Sequence, residues 1–487
     1  MTATSFGFGR YHNLPHCASI ALAACAVACA GDDSSGASNG AAGDSSVSTG
    51  AGASTSIGSH AEIREIEIGG ATAGSGHGDG GGGAESSGGA GGTSVTASGP
   101  LASVTVQVVG LRGTPVSAAR VSLGGQSDET DADGVVVFTD VTTPYSAMVG
   151  AEGQAYVFTG LHSRAPVLHV TVAPDANRGA IAGTLSGLAA FATAPGARLQ
   201  SDIVFAADAD ANFSSGSTAD FTVQSRWLGS SSGTLRAIQY EYDTTGPLGG
   251  YPLNFLTYGE TPADVDAEDV SLSLSPILQH RVEGTISMPA AAVPERVCLQ
   301  LLFQDGANLQ FERFSAEREA FTYQVPSISD AQARFVWYVT YPNSAEVNLI
   351  ESVGGDTRLD LDVPLPLELA GPEDGANGVS VGTEFGLVDS EPGVHMIQLY
   401  SDTSWSAPRI TLYLDGEALG LPDLQAVGLE LPAGTDYRWT ARALRGVGSV
   451  DELVEVADYG DGIGCGDPSP TRIRATVSGP ARAFTTR

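Results

Sequence analysis

The feature that most constrains this chain is a period-two alternation of apolar and polar residues that begins at Val104. Val104, Val106 and Val108 form the first run, and Gly, Pro, Asp and Asn interrupt later runs at short intervals. Successive side chains of a strand point to opposite faces, so this pattern predicts strands with one buried face. Helical periodicity is scarce. We therefore predict an all-β fold made of tandem β-sandwich domains.

Residues 30–100 have a different composition, dominated by Gly, Ser, Ala and Thr. Such a segment buries too little apolar surface to offset its ordering entropy, so we expect a disordered tether. A Gly/Ser coil of this length has a root-mean-square reach of roughly 45 Å. Within it, His60 to Ile68 alternates isoleucine with charged residues. This stretch is compatible with a strand added to a sheet edge, but a charged patch in a linker is the favoured interpretation.

The first 29 residues are typical of an export signal. Arg10 stands among residues without an acidic group, and a short apolar run follows from Cys17 to Ala30. That run is shorter than the roughly 20 residues that span a bilayer, and its small residues indicate a secretory signal peptide. Cysteines follow small residues near the end of this run, which therefore resembles the lipobox of bacterial lipoproteins, in which such a cysteine is acylated.

Two cysteines fit the lipobox. Leu22 to Cys25 matches its letters better, whereas Cys29 leaves a more usual apolar length and is followed closely by polar residues. We favour Cys29 as the lipid attachment site, with Cys25 as the alternative. An ordinary cleaved signal with incidental cysteines remains a third interpretation. In both lipoboxes the next residue is alanine, which by resemblance to Gram-negative sorting implies the outer membrane.

Charge narrows the classes of partner. The formal net charge of −33 argues against nucleic acid as a partner, because phosphate binding needs a basic surface. It suits a soluble, self-repelling surface protein.

Residues 101–176 carry a pattern of their own. Pro115, Val116, Ala119, Val121 and Leu123 precede Thr130 and Asp131, and Gly134 and Phe138 follow. These residues resemble the carboxypeptidase regulatory-like, transthyretin-like sandwich, a structural module without catalytic residues of its own. Thr130 to Gly134 is expected to form a turn.

The next two domains, 177–278 and 279–366, are predicted as a repeat of one β-sandwich. Ile181 to Ser186 is echoed 101 positions later by Val282 to Ser287. Each unit closes on an alternating strand, Val270 to Leu274 in one and Leu359 to Val363 in the other.

The last domain, 367–487, resembles a fibronectin type III or immunoglobulin-like sandwich. Pro372 to Ala376 resembles the entry turn, Leu431 to Trp439 the turn into the sixth strand, and Ala483 to Thr486 the closing strand. Tyr437 fits the tyrosine corner of such domains. Phe385 stands where the family carries Phe-x-Trp, and the tryptophan is missing. About 40 residues separate Trp439 from Phe484, far more than a usual hairpin loop.

No motif for a catalytic site, a metal site or a cofactor is present, so we predict no catalytic residue, no metal and no cofactor. Two acidic clusters are the only groups of residues whose oxygen atoms could suit Ca²⁺. Clusters of this kind are expected by chance in an acidic chain. They comprise Asp202, Asp208, Asp210 and Asn212, and Asp458, Asp461 and Asp467.

Two cysteines follow the signal, Cys298 in an alternating strand and Cys465 in a Gly-rich stretch. A buried thiol is the favoured state of Cys298, and a bridge to Cys465 is the alternative that export permits.

The sequence therefore predicts an exported, non-enzymatic outer-membrane lipoprotein at the cell surface. Its tandem sandwiches would bind a protein or glycan or act as spacers, because loops at sandwich ends are common binding sites. The alternative is a structural accessory subunit of an envelope or secretion machine. A hydrolase without a recognisable motif is third.

Overall fold

The computed structural model describes residues 99–172, 177–207, 210–216, 218–243, 252–314, 320–389, 391–404, 406–455 and 473–487. The predicted signal peptide, both candidate lipid-attachment cysteines and nearly all of the predicted tether lie outside these residues. The described residues are almost entirely β-strand, which confirms the all-β prediction. Among them, no helix is long and apolar enough to cross a membrane.

Two facing sheets built from seven strands form the first sandwich. These are β1 (Pro100–Val109), β2 (Arg120–Leu123), β3 (Gln126–Glu129), β4 (Val135–Thr142), β5 (Tyr145–Ala151), β6 (Gln154–Leu161) and β7 (Val167–His169), with a short 3-10 helix, η1 (Leu111–Gly113). The sheets have the orders β4-β1-β7 and β3-β2-β5-β6. The alternating valines of β1 are fully buried between them.

The turn predicted at Thr130 to Gly134 is present. The Asp131 carboxylate accepts hydrogen bonds from the backbone N–H groups of Asp133 and Val135 at 3.0 and 2.8 Å. Gly134 has a φ of 72°, and a Cβ there would lie 2.5 Å from the carbonyl oxygen of Val108. A turn that needs this glycine accounts for the Asp-rich sequence without a metal ion.

The second sandwich follows. Its strands are β8 (Asn177–Ser186), β9 (Ala197–Ala207), β10 (Asp210–Gly216), β11 (Asp220–Trp227), β12 (Ser232–Asp243), β13 (Pro252–Asp264), β14 (Val270–Ser273) and β15 (Ser275–Pro276).

The third sandwich consists of seven strands. They are β16 (Gln279–Ser287), β17 (Val293–Phe303), β18 (Asn308–Phe314), β19 (Ala320–Pro326), β20 (Ala331–Thr340), β21 (Glu346–Val353) and β22 (Thr357–Asp362).

Both sandwiches share one topology. The smaller sheets have the orders β11-β8-β14 and β19-β16-β22, and the larger sheets begin β10-β9-β12-β13 and β18-β17-β20-β21. In each smaller sheet the central strand pairs antiparallel with one neighbour and parallel with the other. The first sandwich has the same strand order.

A glycine occupies the same place in both central strands. A Cβ on Gly183 would lie 2.1 Å from the carbonyl oxygen of Val270 and 2.8 Å from the Phe221 ring. A Cβ on Gly284 would lie 1.9 Å from the carbonyl oxygen of Leu359 and 2.9 Å from the Phe321 ring. The Gly-Thr pair that marks the internal sequence repeat thus leaves room for an aromatic ring and a neighbouring strand.

The fourth sandwich completes the described chain. Its elements are β23 (Glu368–Gly371), β24 (Ala376–Val379), β25 (Glu384–Val388), β26 (Val394–Tyr400), β27 (Arg409–Leu414), β28 (Ala418–Gly420), η2 (Leu424–Val427), β29 (Asp436–Arg445), α1 (Val450–Glu455), β30 (Ala475–Ser478) and β31 (Arg482–Thr486). Phe385 packs edge-on against Trp439 at 5.2 Å and Phe484 at 5.6 Å. The Tyr437 hydroxyl donates to the Pro408 carbonyl at 3.3 Å, 29 residues upstream, rather than making a local corner contact.

The sheets of the first, third and fourth sandwiches join edge to edge. Strand β27 pairs in parallel with β6, from Arg409–Tyr413 to Gln154–Phe158. Strand β30 pairs antiparallel with β21, from Ala475–Val477 to Val347–Leu349. The result in the described residues is one 14-stranded sheet, in which the fourth sandwich lies between the other two. The long insertion between Trp439 and Phe484 supplies β30.

The second sandwich is attached through side chains. Tyr240 and Phe255 contact Phe311 of the third sandwich edge-on, at 5.1 and 5.0 Å. Beside them Arg236, which is 6% exposed, lies 2.6 Å from the Asp305 carboxylate and 4.3 Å from the centre of the Phe303 ring. An apolar contact next to an ion pair between the buried Arg236 and the partly exposed Asp305 holds the second sandwich against the third.

Helix α1 closes the first sandwich. Its apolar residues Val450, Leu453 and Val454 are fully buried in a cluster that also holds Cys298 and the core of the first sandwich. The predicted burial of the Cys298 thiol is confirmed. Cys465 lies outside the described residues, so the bridge between the two cysteines stays a prediction.

Gly284→Ala should lower the free energy of unfolding by about 2 kcal/mol, because the added methyl group collides with backbone and an aromatic ring that cannot both move away. Denaturant unfolding measures this difference. The matched control is Gly354→Ala, where nothing lies within 4 Å of the new methyl group. Equal stability of the two variants would contradict the close approach at Gly284.

Candidate functional site

The acidic clusters show no metal-binding geometry where they can be observed. The Asp202 carboxylate is buried and accepts hydrogen bonds from the Tyr240 hydroxyl at 2.9 Å and the Gln200 amide at 3.0 Å. Asp208 and the side chains of Asp210 and Asn212 lie outside the described residues, as do Asp458, Asp461 and Asp467. No group of three or more metal-ligating side chains occurs in the part of the chain that is described.

A buried charged cluster lies in the fourth sandwich, and sequence reasoning did not single it out. Nε2 of His395 lies 2.7 Å from Oδ2 of Asp389, and a guanidinium nitrogen of Arg445 lies 2.5 Å from Oδ1 of the same carboxylate. The side chains of Asp389 and His395 are each 3% exposed. Burial alone would raise the pKa of the Asp389 carboxyl, but hydrogen bonds from Arg445 and His395 hold the pKa below its ordinary value.

This cluster joins separate parts of the fourth sandwich. The other ring nitrogen of His395, Nδ1, lies 2.9 Å from the carbonyl oxygen of Gly416. Both ring nitrogens thus contact oxygen atoms of the fold. The cluster ties the ends of β26 and β29 to the loop after β25.

A groove lies where the first sandwich meets the fourth. Its floor is the face of the first sandwich's larger sheet on which Ser122, Met148 and Val157 stand opposite one another across β2, β5 and β6. Val157 is in register with Leu412 of β27, which is a core residue of the fourth sandwich. The groove floor therefore continues the inner face of the fourth sandwich.

The wall of the groove is the edge of the sheet that covers this inner face. That sheet has the order β23-β25-β28 and ends at β28. On the groove floor Val157 is buried, whereas Met148 and Ser122 are half-buried. Leu421 donates to the Thr383 carbonyl and Leu387 donates to the Glu417 carbonyl, both at 2.8 Å. Because alternate residues of a strand direct their backbone groups to opposite sides, Gly420 directs its N–H and C=O groups away from β25.

The groove has a volume of about 320 Å³ and a neutral lining in the described structure. Its lining residues are Ser122, Gly124, Gly125, Ser146, Met148, Val157, Thr159, Leu419, Gly420 and Pro422. Apolar side chains with a few hydroxyl groups at an interface between sandwiches are typical of binding sites. The site was not predicted, because Met148 and Leu419 are 271 positions apart and neither stands in a motif.

One end of the groove is closed and the other is open. Helix η2 crosses the first sandwich beside the groove, where the Ser127 hydroxyl donates to the Ala426 carbonyl at 3.2 Å. A Cβ on Gly150 would lie 2.6 Å from the carbonyl oxygen of Val427, so the two elements are in close contact there. At the opposite end, the Gly124–Gly125 turn has nothing within 4 Å of either Cβ position.

No family model and no curated protein matches this chain. Among solved structures, similarity is found to an adhesin candidate from Bacteroides ovatus (8% identity, TM-score 0.16, covering 39% of this chain and 94% of that one). A second is BcpA, the major pilin subunit of Bacillus cereus (9% identity, TM-score 0.13, covering 54% and 98%). A third is a carbohydrate-binding protein candidate from Bacteroides uniformis (12% identity, TM-score 0.18, covering 42% and 98%). At these TM-scores the similarities carry no argument about this chain.

Asp389→Asn should lower the free energy of unfolding by about 3 kcal/mol near neutral pH, because the Arg445 guanidinium loses the carboxylate charge that compensates it. The folded-state pKa of Asp389 is below its unfolded value. Its contribution is therefore fully present above about pH 4 and is lost as the pH falls through the folded-state pKa. Thermal melts should show the gap between wild type and variant closing as the pH is lowered below about 4.

The matched control for this prediction is Asp362→Asn at an exposed strand position. It should leave stability unchanged at every pH. A gap for Asp389→Asn that stays constant from neutral to acid pH would contradict the assigned role of the carboxylate.

Proposed function

We propose that this chain is a non-catalytic, lipid-anchored protein of the bacterial cell surface that presents linked β-sandwiches for binding. The observation that carries the proposal is the 14-stranded sheet that joins three sandwiches into one body. Edge pairing of this kind holds separate sandwiches in a fixed arrangement, which suits a protein that displays a surface rather than one that closes around a substrate.

The buried charged groups support the same role. Asp202, His395 and Arg236 each contact partners within the fold. Each is accounted for as a structural group, without a nucleophile and base placed side by side as acyl transfer or hydrolysis requires. The groove between the first and fourth sandwiches offers hydroxyl groups, backbone groups and apolar surface, which bind a ligand without transforming it.

The anchor is proposed from the sequence. Acylation at Cys29, with Cys25 as the rival, would place residues 30–100 between the membrane and the sandwiches as a tether. The alanine after either cysteine favours the outer membrane by resemblance to Gram-negative sorting. A protein or a glycan on the outside of the cell is the ligand class that this arrangement can reach.

Metabolic labelling with a palmitate analogue tests the anchor. The label should be incorporated into the wild-type chain and into Cys25→Ser, and it should be lost from Cys29→Ser, because only the acylated cysteine receives the lipid. Loss from Cys25→Ser alone would move the site to the rival cysteine. Absence of label from the wild type would contradict lipid anchoring.

A further inference from the structure

We propose that the groove between the first and fourth sandwiches binds an extended peptide segment of a partner protein, which pairs with β28 and covers Met148. This inference rests on the proposed binding role and names the class of partner. It follows from the point at which the covering sheet stops.

The two layers of the fourth sandwich have unequal widths. One layer is the 14-stranded sheet, which continues from β27 into β6, β5 and β2 without a break. The other layer is the covering sheet, which ends at β28. Adjacent strands lie about 4.8 Å apart and stacked sheets about 10 Å apart. One further strand beside β28 would therefore lie above Met148 and extend the sandwich by one position.

The backbone of β28 is oriented to accept such a strand. The backbone N–H and C=O groups that face β25 belong to Glu417, Leu419 and Leu421. The backbone groups of Ala418 and Gly420 are therefore directed toward the groove. None of the described strands lies on that side of β28. Main-chain hydrogen bonds to a free edge provide affinity in strand addition, and side chains at alternate positions provide specificity.

The lining favours a peptide over a sugar. Sugar sites commonly stack an aromatic ring on the apolar face of the sugar, whereas the groove floor is formed by Met148, Val157 and the hydroxyl-bearing residues Ser122, Ser146 and Thr159. An apolar side chain pointing down would meet Met148, and its small polar neighbours would point outward. Strand β28 is three residues long, so about three residues of the peptide can pair with it.

The probe is a blocked hexapeptide of alternating valine and serine, added to the full-length chain carrying ¹³C-methyl methionine. The chain has 4 methionines, so the Met148 signal is assigned by its loss in Met148→Leu. We expect the peptide to shift the Met148 methyl signal saturably and to leave the Met396 signal in place. No shift of the Met148 signal would overturn the proposal.

Position 420 provides a matched pair of variants. Gly420→Ala keeps the backbone N–H, and its methyl group would have only ordinary contacts, the nearest at 3.6 Å. Gly420→Pro removes the N–H. Peptide affinity should be within twofold of wild type for Gly420→Ala and at least tenfold weaker for Gly420→Pro. Equal affinities of the two variants would overturn pairing with β28.

A second pair of variants tests the site in case Gly420→Pro does not fold. Ser122→Trp should fill the groove from its floor and abolish the shift of the Met148 signal, whereas Thr139→Trp at an exposed position of strand β4 should leave peptide binding unchanged. Undiminished binding by Ser122→Trp would overturn the site.

A neutral disaccharide serves as the competing probe. If maltose shifts the Met148 signal and the peptide does not, the groove is a sugar site and the proposal is wrong. Failure of either probe leaves palmitate labelling unaffected, so the groove and the lipid anchor are tested separately.

Discussion

The pairing of sheet edges between sandwiches is the interaction on which the rest of this structure depends. A free edge strand exposes unpaired N–H and C=O groups and is prone to unwanted pairing. Here the edge of the first sandwich, β6, pairs with β27, and the edge of the third, β21, pairs with β30. Both partner strands belong to the fourth sandwich, which is the last along the chain. The edge of the first sandwich is therefore paired by a strand from the last sandwich, with the second and third lying between them in sequence.

The pairing of both sheet edges by the fourth sandwich explains why that sandwich is long. The insertion after Trp439 contributes β30, which bridges to the third sandwich, and α1, whose apolar face is buried against the first. It also explains the groove. The shared sheet continues into the first sandwich, but the covering sheet ends at β28. A step is therefore left beside the junction, with Met148 on its floor and the outer edge of β28 as its wall.

Much of the local structure could be predicted from the sequence. The alternating valines of β1, the turn at Asp131 and the matching starts of β8 and β16 follow from side-chain period and from glycine chemistry. The edge pairings could not be predicted, because Val347 and Val477 show the same alternation whether their strands are paired or free. The Asp389–His395–Arg445 cluster joins residues that only the strand register brings together. The continuous apolar runs from Ile203 to Ala207 and from Phe335 to Val339 were available indications that a strand would be covered on both faces.

The central claim is that three sandwiches share one continuous sheet, and hydrogen–deuterium exchange tests it most directly. Peptides that contain residues 154–158, 409–413, 347–349 and 475–477 should exchange as slowly as the central strand β26, because their backbone groups are paired within the sheet. The free edge strand β3 should exchange quickly and provides the reference. Exchange at the two junctions as fast as at β3, with β26 still protected, would show that the sandwiches are separate and would contradict the account.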